Sequence, residues 1–305
     1  MTGPMTDIVA NSAWRDAHSA RLSVLIPFYN DDPSALITAL AHANPHTGVE
    51  FITFDDGRPD ADLNAAVCDT IQSLDVPGAV ATSRLNRGRS AARNRLAQIA
   101  RGQWLLFLDA DMVASPGFLM RWLLALENTR WDAVFGGYAA IEPTAQTRVH
   151  SRLAASSDGL DAAERLRIGP TSVCSSNLAV RREVMEAVCF DEAYAGWGWE
   201  DVDWALSAAQ RFSIGHIDNP AGHAGLETVP ALLAKFAQTG PNFARLLARH
   251  PSYADRPGAR MARRLKAYRL GWLARAVGAA AARAPLPDHA RVLGLKLFQA
   301  GVCAK

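Results

Sequence analysis

The chain is poor in cysteine. Cys68, Cys174, Cys189 and Cys303 are its only four, they lie far apart, and no C-x-x-C pair occurs. Neither a zinc site nor a disulfide framework reads from that spacing, so a reducing, cytoplasmic setting is the expectation. Long apolar runs are missing too. Nowhere do about 18 uncharged apolar residues follow one another, which argues against a spanning helix. The best stretch, Leu270 to Ala282, is short and broken by Arg275. Met1 to Ala20 contains Asp7, Arg15, Asp16 and His18 without a continuous apolar segment, so it reads as a polar leader, not a secretion signal. No G-x-G-x-x-G follows the first strand signal, which disfavours a dinucleotide-dependent dehydrogenase. Pro27 to Pro33 also lacks the Gly-rich loop with Arg or Lys that a nucleotidyltransferase usually brings.

What is present is ordinary globular composition with an uneven charge. The 305 residues are 49% hydrophobic and 20% charged, enough for one large domain with an appendage or for two smaller domains. From Ala231 to Lys305 there are 14 Lys and Arg against Asp255 and Asp288 alone, a net +12. The preceding residues carry the balance, −10. Such a split predicts a basic part that faces something anionic.

Along the chain, β-branched and aromatic runs alternate with helical spacing. Leu22 to Ile26, Val49 to Phe54, Ala79 to Thr82 and Trp104 to Leu108 read as strands. Pro33 to Ala43 (Asp32 its N-cap), Asp62 to Leu74 and Arg89 to Ala100 read as the helices between them. That alternation predicts βαβ units and a mostly parallel α/β sheet covered by helices on both faces. Beyond Trp131 the pattern turns α+β. Ala133–Phe135, Ser176–Val180 and Ser213–Ile217 read as strands, Arg181–Ala187 and Glu200–Arg211 as helices, and Glu142 to Thr171 as helix and loop.

Ligands of parallel sheets bind beyond the carboxyl ends of the strands. Those ends read Pro27-Phe-Tyr-Asn30, Asp55-Asp56-Gly57, Arg84-Leu-Asn86 and Asp109-Ala-Asp111. Two carboxylates at i and i+2 past a buried strand repel unless a cation lies between them. Mg²⁺ or Mn²⁺ with oxygen ligands answers that and would grip a diphosphate as well; a solvated Asp-rich turn is the plainer alternative. Asp55-Asp56-Gly57 has turn composition, yet acceptor-only carboxylates also suit a uracil N–H and a ribose hydroxyl. Gly196-Trp-Gly-Trp-Glu200-Asp201-Val-Asp203 sets aromatic faces beside flexible glycines, a surface on which a sugar ring can stack. Its acidic residues open a helix, where the dipole favours them. Asp203 and Trp204 read as structural. His223, past the last strand, is a candidate to return to the metal, whereas His216 reads as a packing or surface residue.

The runs Ser23-Val-Leu-Ile-Pro27-Phe-Tyr-Asn30, Phe54-Asp-Asp-Gly57, Asn86-Arg-Gly88 with Ala92-Arg93-Asn94, and Phe107-Leu-Asp-Ala-Asp111 resemble family 2 glycosyltransferases of the GT-A fold. Gly196 to Asp203 resembles the acceptor-side motif of β-1,4-galactosyltransferases and chondroitin-polymerase-type enzymes. The resemblance covers roughly Leu22 to Gly225. It implies a Rossmann-like GT-A domain over 21–226, with a nucleotide-binding half at 21–114 and an acceptor half at 131–226. A basic helical extension would occupy 227–305. It implies transfer with inversion from a nucleotide-sugar donor, a UDP-sugar by expectation, with Mn²⁺ or Mg²⁺ as cofactor. Pro27, Tyr29, Asn86 and Arg93 would lie at the donor. Asp55 or Asp56 would hold the base, Asp109 the ribose or a metal-bound water, and Asp111, with His223, the metal. Asp201 would be the general base, Glu200 would hold an acceptor hydroxyl, and Trp197 and Trp199 would contact the acceptor. Two positions depart from the pattern: Trp199 stands where a small glycine is usual, and Phe28 where a small hydroxyl residue is common. A non-catalytic sugar-nucleotide or polysaccharide-binding subunit remains the alternative, although it would have little use for Glu200-Asp201 beside Trp197.

The basic tail sets apolar and cationic residues at helical spacing: Leu232, Leu233 and Phe236 with Lys235, then Met261, Leu265, Tyr268, Leu270 and Trp272 among Arg260, Arg263, Arg264, Lys266, Arg269 and Arg275. Helices packed on the catalytic domain are one reading. The other is a cationic amphipathic surface on an anionic leaflet, peripheral at the inner face of a membrane and close to a lipid-linked or glycan acceptor. Nucleic acid is not expected as a partner.

Overall fold

A computed structural model describes residues 7–42, 48–57, 61–156 and 159–304. Met1 to Thr6, Ala43 at the end of the first expected helix, and Lys305 lie outside them. The sheet centre is the expected βαβ run: β2 (Ala20–Phe28), β3 (Val49–Asp55), β4 (Gly78–Thr82) and β5 (Gly102–Leu108) are mutually parallel in the order β4-β3-β2-β5. Successive residues of a strand face opposite sides of the sheet. Leu22, Val24 and Ile26 of β2 and Trp104, Leu106 and Leu108 of β5 therefore enter one core, against α2 (Ser34–His42), α3 (Ala61–Gln72) and α5 (Phe118–Glu127). Leu25, Leu105 and Phe107 enter the other, against α4 (Arg89–Ile99), α8 (Arg182–Ala187) and α9 (Glu200–Ala208).

The stretch expected to be a polar leader is partly built into the sheet. β1 (Asp7–Ala10) pairs antiparallel with β4, and α1 (Ser12–Asp16) follows. Asn11 fastens the turn between them. Its Oδ1 accepts from Trp14 N and Gly78 N, and its Nδ2 donates to the carbonyls of Ile71 and Val76. On the other edge β9 (Asn177–Arg181) runs antiparallel to both β5 and β7 (Ala133–Phe135), and β10 (Ile214–His216) completes an eight-stranded sheet.

A second sheet, of three short strands, lies over the carboxyl ends: β6 (Met112–Val113), β11 (Ala221–His223) and β8 (Tyr138–Ala139), in the order β6-β11-β8. The segment 142–171 holds α6 (Arg148–Ala155) and α7 (Ala162–Ile168).

Among the described residues, all the regular structure of the basic tail is helical. α10 (Val229–Ala237) buries Leu232, Leu233 and Phe236 against Val149 of α6 and Val292 and Leu295 of α14 (Asp288–Cys303). α11 (Thr239–Arg249) and α12 (Pro257–Ala267) form another cluster around Phe243, Leu246, Ala259 and Ala262, with Trp199 and Val202 packed against it. α13 (Gly271–Arg283) lies along α14 through small residues. A side chain on Gly278 would meet the Phe298 backbone, and one on Gly294 would meet Ala282 N. No helix among the described residues is long and apolar enough to cross a membrane.

Candidate active site

The carboxyl ends of the central strands open on a cavity of about 1110 Å³. Pro27, Tyr29 and Asn30 reach it from the end of β2, and Asp31 joins them, a residue the strand-end reading passed over. At the end of β3 the two aspartates part company. Asp55 is buried behind the wall, where its carboxylate accepts from Asn64 Nδ2 at 2.8 Å and Gly57 N at 3.1 Å. It does not line the cavity, so the expectation that either aspartate could hold the base narrows to Asp56. Asp56 accepts from Arg87 N and Gly88 N, each at 2.9 Å, and so ties down the loop that carries Asn86 to the rim. Burial pushes the Asp56 carboxyl up to about 6, against the pull of those two N–H groups. Gly57 has φ +77°, and a Cβ there would strike the Leu85 backbone. Only glycine lets this loop cross so close.

Past β5, Asp109 and Asp111 point to different partners. Asp109 Oδ1 accepts from Arg93 Nη2 at 2.7 Å. Arg93 projects from α4, buried, and no hydrogen bond satisfies its Nε or Nη1. Burial works against that guanidinium's charge, but Asp109, Asp201 and Glu200 outweigh it and hold its pKa above the ordinary value. Asp111 turns the other way. The antiparallel pairing of β6 with β11 sets Met112 opposite His223, and Ala224 N donates to Asp111 O at 2.9 Å. That register brings His223 Nε2 to 3.2 Å from Asp111 Oδ2. Burial opposes charge on both groups, yet their mutual hydrogen bond wins, holding the Asp111 carboxyl low and the His223 imidazole high. Asp111 Oδ1 is buried with no hydrogen-bond partner.

A carboxylate oxygen and an imidazole nitrogen form a donor set that Mn²⁺ accepts. Among the described residues no three His, Cys, Asp or Glu side chains gather around one point. Two protein donors would thus leave the remaining positions to phosphate oxygens and water, as in sites where substrate phosphates complete the coordination.

The loop expected to meet an acceptor is strained and runs into α9. Gly196 and Gly198 have φ +74° and +92°, and Trp199, the residue standing where glycine is usual, has φ 78°. A tryptophan in left-handed backbone costs on the order of 1–3 kcal/mol and persists only where its surroundings over-determine it. Here they do. Trp199 packs on Phe243 at 5.1 Å and Tyr253 at 6.0 Å, Trp197 packs on Phe236 at 5.4 Å, and Asn242 Nδ2 donates to the carbonyls of Ala195 and Gly198. Both tryptophans and Phe236 line the cavity, so α10 and α11 of the tail brace this part of its wall.

Glu200 is buried, with Arg89 Nη1 at 3.8 Å, and burial followed by the neighbouring Asp201 charge raises its pKa. Asp201 lines the cavity, with Oδ1 lacking a partner. Asp203 faces away, bonded to Arg249 at 2.7 Å and His250 at 3.0 Å, and the Trp204 indole donates to Val188 O. His216 is buried beside Phe135.

Sequence reading missed His150, Glu227 and Lys235. Glu227 N donates to His150 Nδ1 at 2.7 Å, Glu227 pairs with Lys235, and all three line the cavity. Only the helical spacing of α10 could have pointed Lys235 inward, and nothing in sequence ties it to a strand end.

Comparison with known proteins agrees with this fold. The mannosyltransferase PcManGT from Pyrobaculum calidifontis, solved with GDP-Man and Mn²⁺, superposes with a TM-score of 0.59 at 16% identity, over 99% of this chain and 90% of that one. Glucosyl-3-phosphoglycerate synthase from Mycobacterium tuberculosis, solved with Mn²⁺, UDP and glucosyl-3-phosphoglycerate, gives 0.52 at 18% identity, over 75% of this chain and 80% of that one. At such identities the likeness is one of fold, and it is the GT-A fold, with a C-terminal helical extension added. The uncharacterized glycosyltransferase YibD of Escherichia coli strain K12 is 33% identical over 98 residues, a match covering 32% of this chain and 27% of that protein. The family described as glycosyl transferase family 2 matches residues 23–189, just over half of the sequence and all four strand-end motifs. With its nucleotide-side motifs and its sheet both accounted for, the chain belongs to glycosyl transferase family 2.

Proposed function

We propose that this protein is an inverting, divalent-metal-dependent hexosyltransferase. It would move a sugar from a nucleoside-diphosphate donor, a UDP-sugar in our reading, to an acceptor hydroxyl in glycan, polysaccharide or glycolipid synthesis. The observation that carries the reading is the meeting of Asp111 and His223, 3.2 Å apart, on the same cavity as Asp201. The ligands named for the two solved relatives, GDP-Man and UDP, each with Mn²⁺, support the donor class.

Asp111 and His223 would hold the ion, which supplies positive charge against the diphosphate that departs. Asp109, fixed by Arg93, is left to contact the ribose or a water on the ion. Asp56 and Asn86 border the base, with Pro27 and Tyr29 on its other side. Lys235 adds a second cation near Asp111.

The acceptor oxygen bonds to the anomeric carbon from the side opposite the diphosphate. The old carbon–oxygen bond breaks with its electron pair left on the diphosphate, and configuration inverts. Asp201 takes the hydroxyl proton. A carboxylate is a weak base for a resting alcohol, but the proton leaves late, when the attacking oxygen has become acidic. Glu200 orients the acceptor, whose ring rests on Trp197 and Trp199. We take the acceptor to be borne on lipid or a surface glycan, with the enzyme working peripherally at the inner face of a membrane.

The test is a panel of UDP-, GDP- and dTDP-sugars scored for Mn²⁺-dependent release of nucleotide. Release from one donor class that stops with chelator is the expected result. Tight nucleotide binding without release or transfer would favour a non-catalytic binding subunit instead.

A further inference from the structure

The tail does two different things along its length. α10 and α11 bury their apolar faces, whereas the corner from α12 into α13 leaves its own exposed. We infer that this corner is a docking surface for an anionic lipid leaflet. Three observations meet there.

The first is the outward face of α13. Ala274, Gly278 and Ala282 turn to α14, so Trp272, Leu273, Ala276, Val277 and Ala280 form the opposite, exposed stripe, recurring at the spacing of one helix face. Trp272 is 63% exposed. A helix that packs on its own domain through its small residues and turns its large ones to solvent has its main apolar area unpartnered.

The second is charge. Arg260, Arg263, Arg264 and Lys266 border a shallow depression with Tyr268 at the end of α12. No Asp or Glu occurs between Asp255 and Asp288 in the sequence.

The third is the turn itself. Leu270 N donates to Leu265 O and Arg269 N to Lys266 O, a helix-ending motif whose left-handed position is usually glycine. Here Arg269 occupies it, at φ 56°. Tyr268 and Leu270, on either side of that arginine, are both exposed. Aromatic and aliphatic side chains flanked by arginines are what the headgroup–acyl boundary of an anionic leaflet accepts. A second copy of the chain fits less well, because a two-fold pairing of this face would bring its cations together.

The docking goes beyond the transferase reading and stands without it, but its purpose rests on that reading. α14, with α13 along one side, offers Lys296 and Gln299 to the cavity wall. The docking face and the acceptor side of the cavity therefore belong to one helical hairpin.

The experiment is co-sedimentation of the full chain with phosphatidylcholine vesicles, with and without phosphatidylglycerol, at low and high salt. Wild type should bind only the anionic vesicles and release in salt. R260Q/R263Q/R264Q should lower the partition roughly a hundredfold, since each cation near an anionic surface contributes about a factor of five, and R260K/R263K/R264K should retain it. W272S/L273S should weaken binding by at least about tenfold. Mn²⁺-dependent UDP titration is run on every variant. UDP binding equal to wild type in variants that no longer bind vesicles supports the proposal. Vesicle binding that survives in a chain without any UDP affinity would count against the transferase reading and leave the docking intact. No binding by wild type, equal binding to neutral vesicles, an unaffected triple variant, preference for an oligonucleotide, or a dimer abolished by W272S/L273S would each overturn it.

Discussion

Arg93 Nη2 stands 2.7 Å from Asp109 Oδ1, and the two ends of this pair are unequally buried, with side chains 3% and 35% exposed. Removing the acid strands a buried cation, whereas removing the cation leaves an acid that water can reach. Asp109→Asn should therefore cost more stability than Arg93→Met, about 3 kcal/mol against about 1. Urea unfolding without added metal measures both, and the reverse order would mean that Arg93 is satisfied by Glu200 and Asp201 instead.

The proposed division between base and acceptor anchor predicts different kinetics for neighbouring residues. Asp201→Asn keeps shape but cannot take a proton, so kcat should fall by about 10²-fold or more while UDP affinity holds. Glu200→Gln should raise the acceptor KM more than it lowers kcat. An Asp201→Asn enzyme within a few-fold of wild-type kcat would remove it as the base.

If Asp111 and His223 hold the ion together, their losses should not add. Calorimetric titration of UDP with Mn²⁺ should show Asp111→Ala and His223→Ala each abolishing most of the metal-dependent affinity. The double variant should be little worse, giving an interaction energy of about 1–3 kcal/mol. Additive losses would assign the two residues to separate roles.

His216 supplies an acid-stability test away from the site. Burial, then the charge of Arg165, depresses its imidazole from 6.5 to about 4. Between those values the unfolded chain binds a proton that the folded chain refuses, so stability present above pH 6.5 is lost as pH falls toward about 4. His216→Phe, which keeps an aromatic edge beside Phe135, should lessen the fall in melting temperature over that range, leaving the part due to the similarly depressed His150, and change it little at pH 8.

The central strands, the helices between them and the Asp109/Asp111 turn were legible because each is a local pattern with period, ends and composition. β1 was not, since a four-residue edge strand shows no lasting alternation, and its anchor, Asn11, bonds to residues sixty or more positions away. Strand direction was equally hidden. Asn177 to Arg181 reads as a strand in either orientation, and only the packing makes it antiparallel to both neighbours. At the candidate site the same limit applies. Asp55 and Asp56 are adjacent in sequence and indistinguishable there, but the pleat sends one carboxylate behind the wall and the other to the rim. His223 was a guess about where a loop returns, whereas Lys235 and His150 had no strand end to announce them.

The two-residue strand β6 has a consequence for how this protein can be recombined. Its pairing with β11 ties Asp111, from the first half of the chain, to His223, from the second half. A chimera that exchanges the sequence up to the end of β6 with a relative while keeping the rest would inherit one member of the pair from each parent. It would keep a continuous sheet and still misalign the two side chains, because a slip of a single residue in so short a ladder turns His223 to the opposite face. Functional crossovers should therefore move β6 and β11 together, and the workable breakpoints lie before Asp109 or after Gly225, not in the loop between the apparent halves.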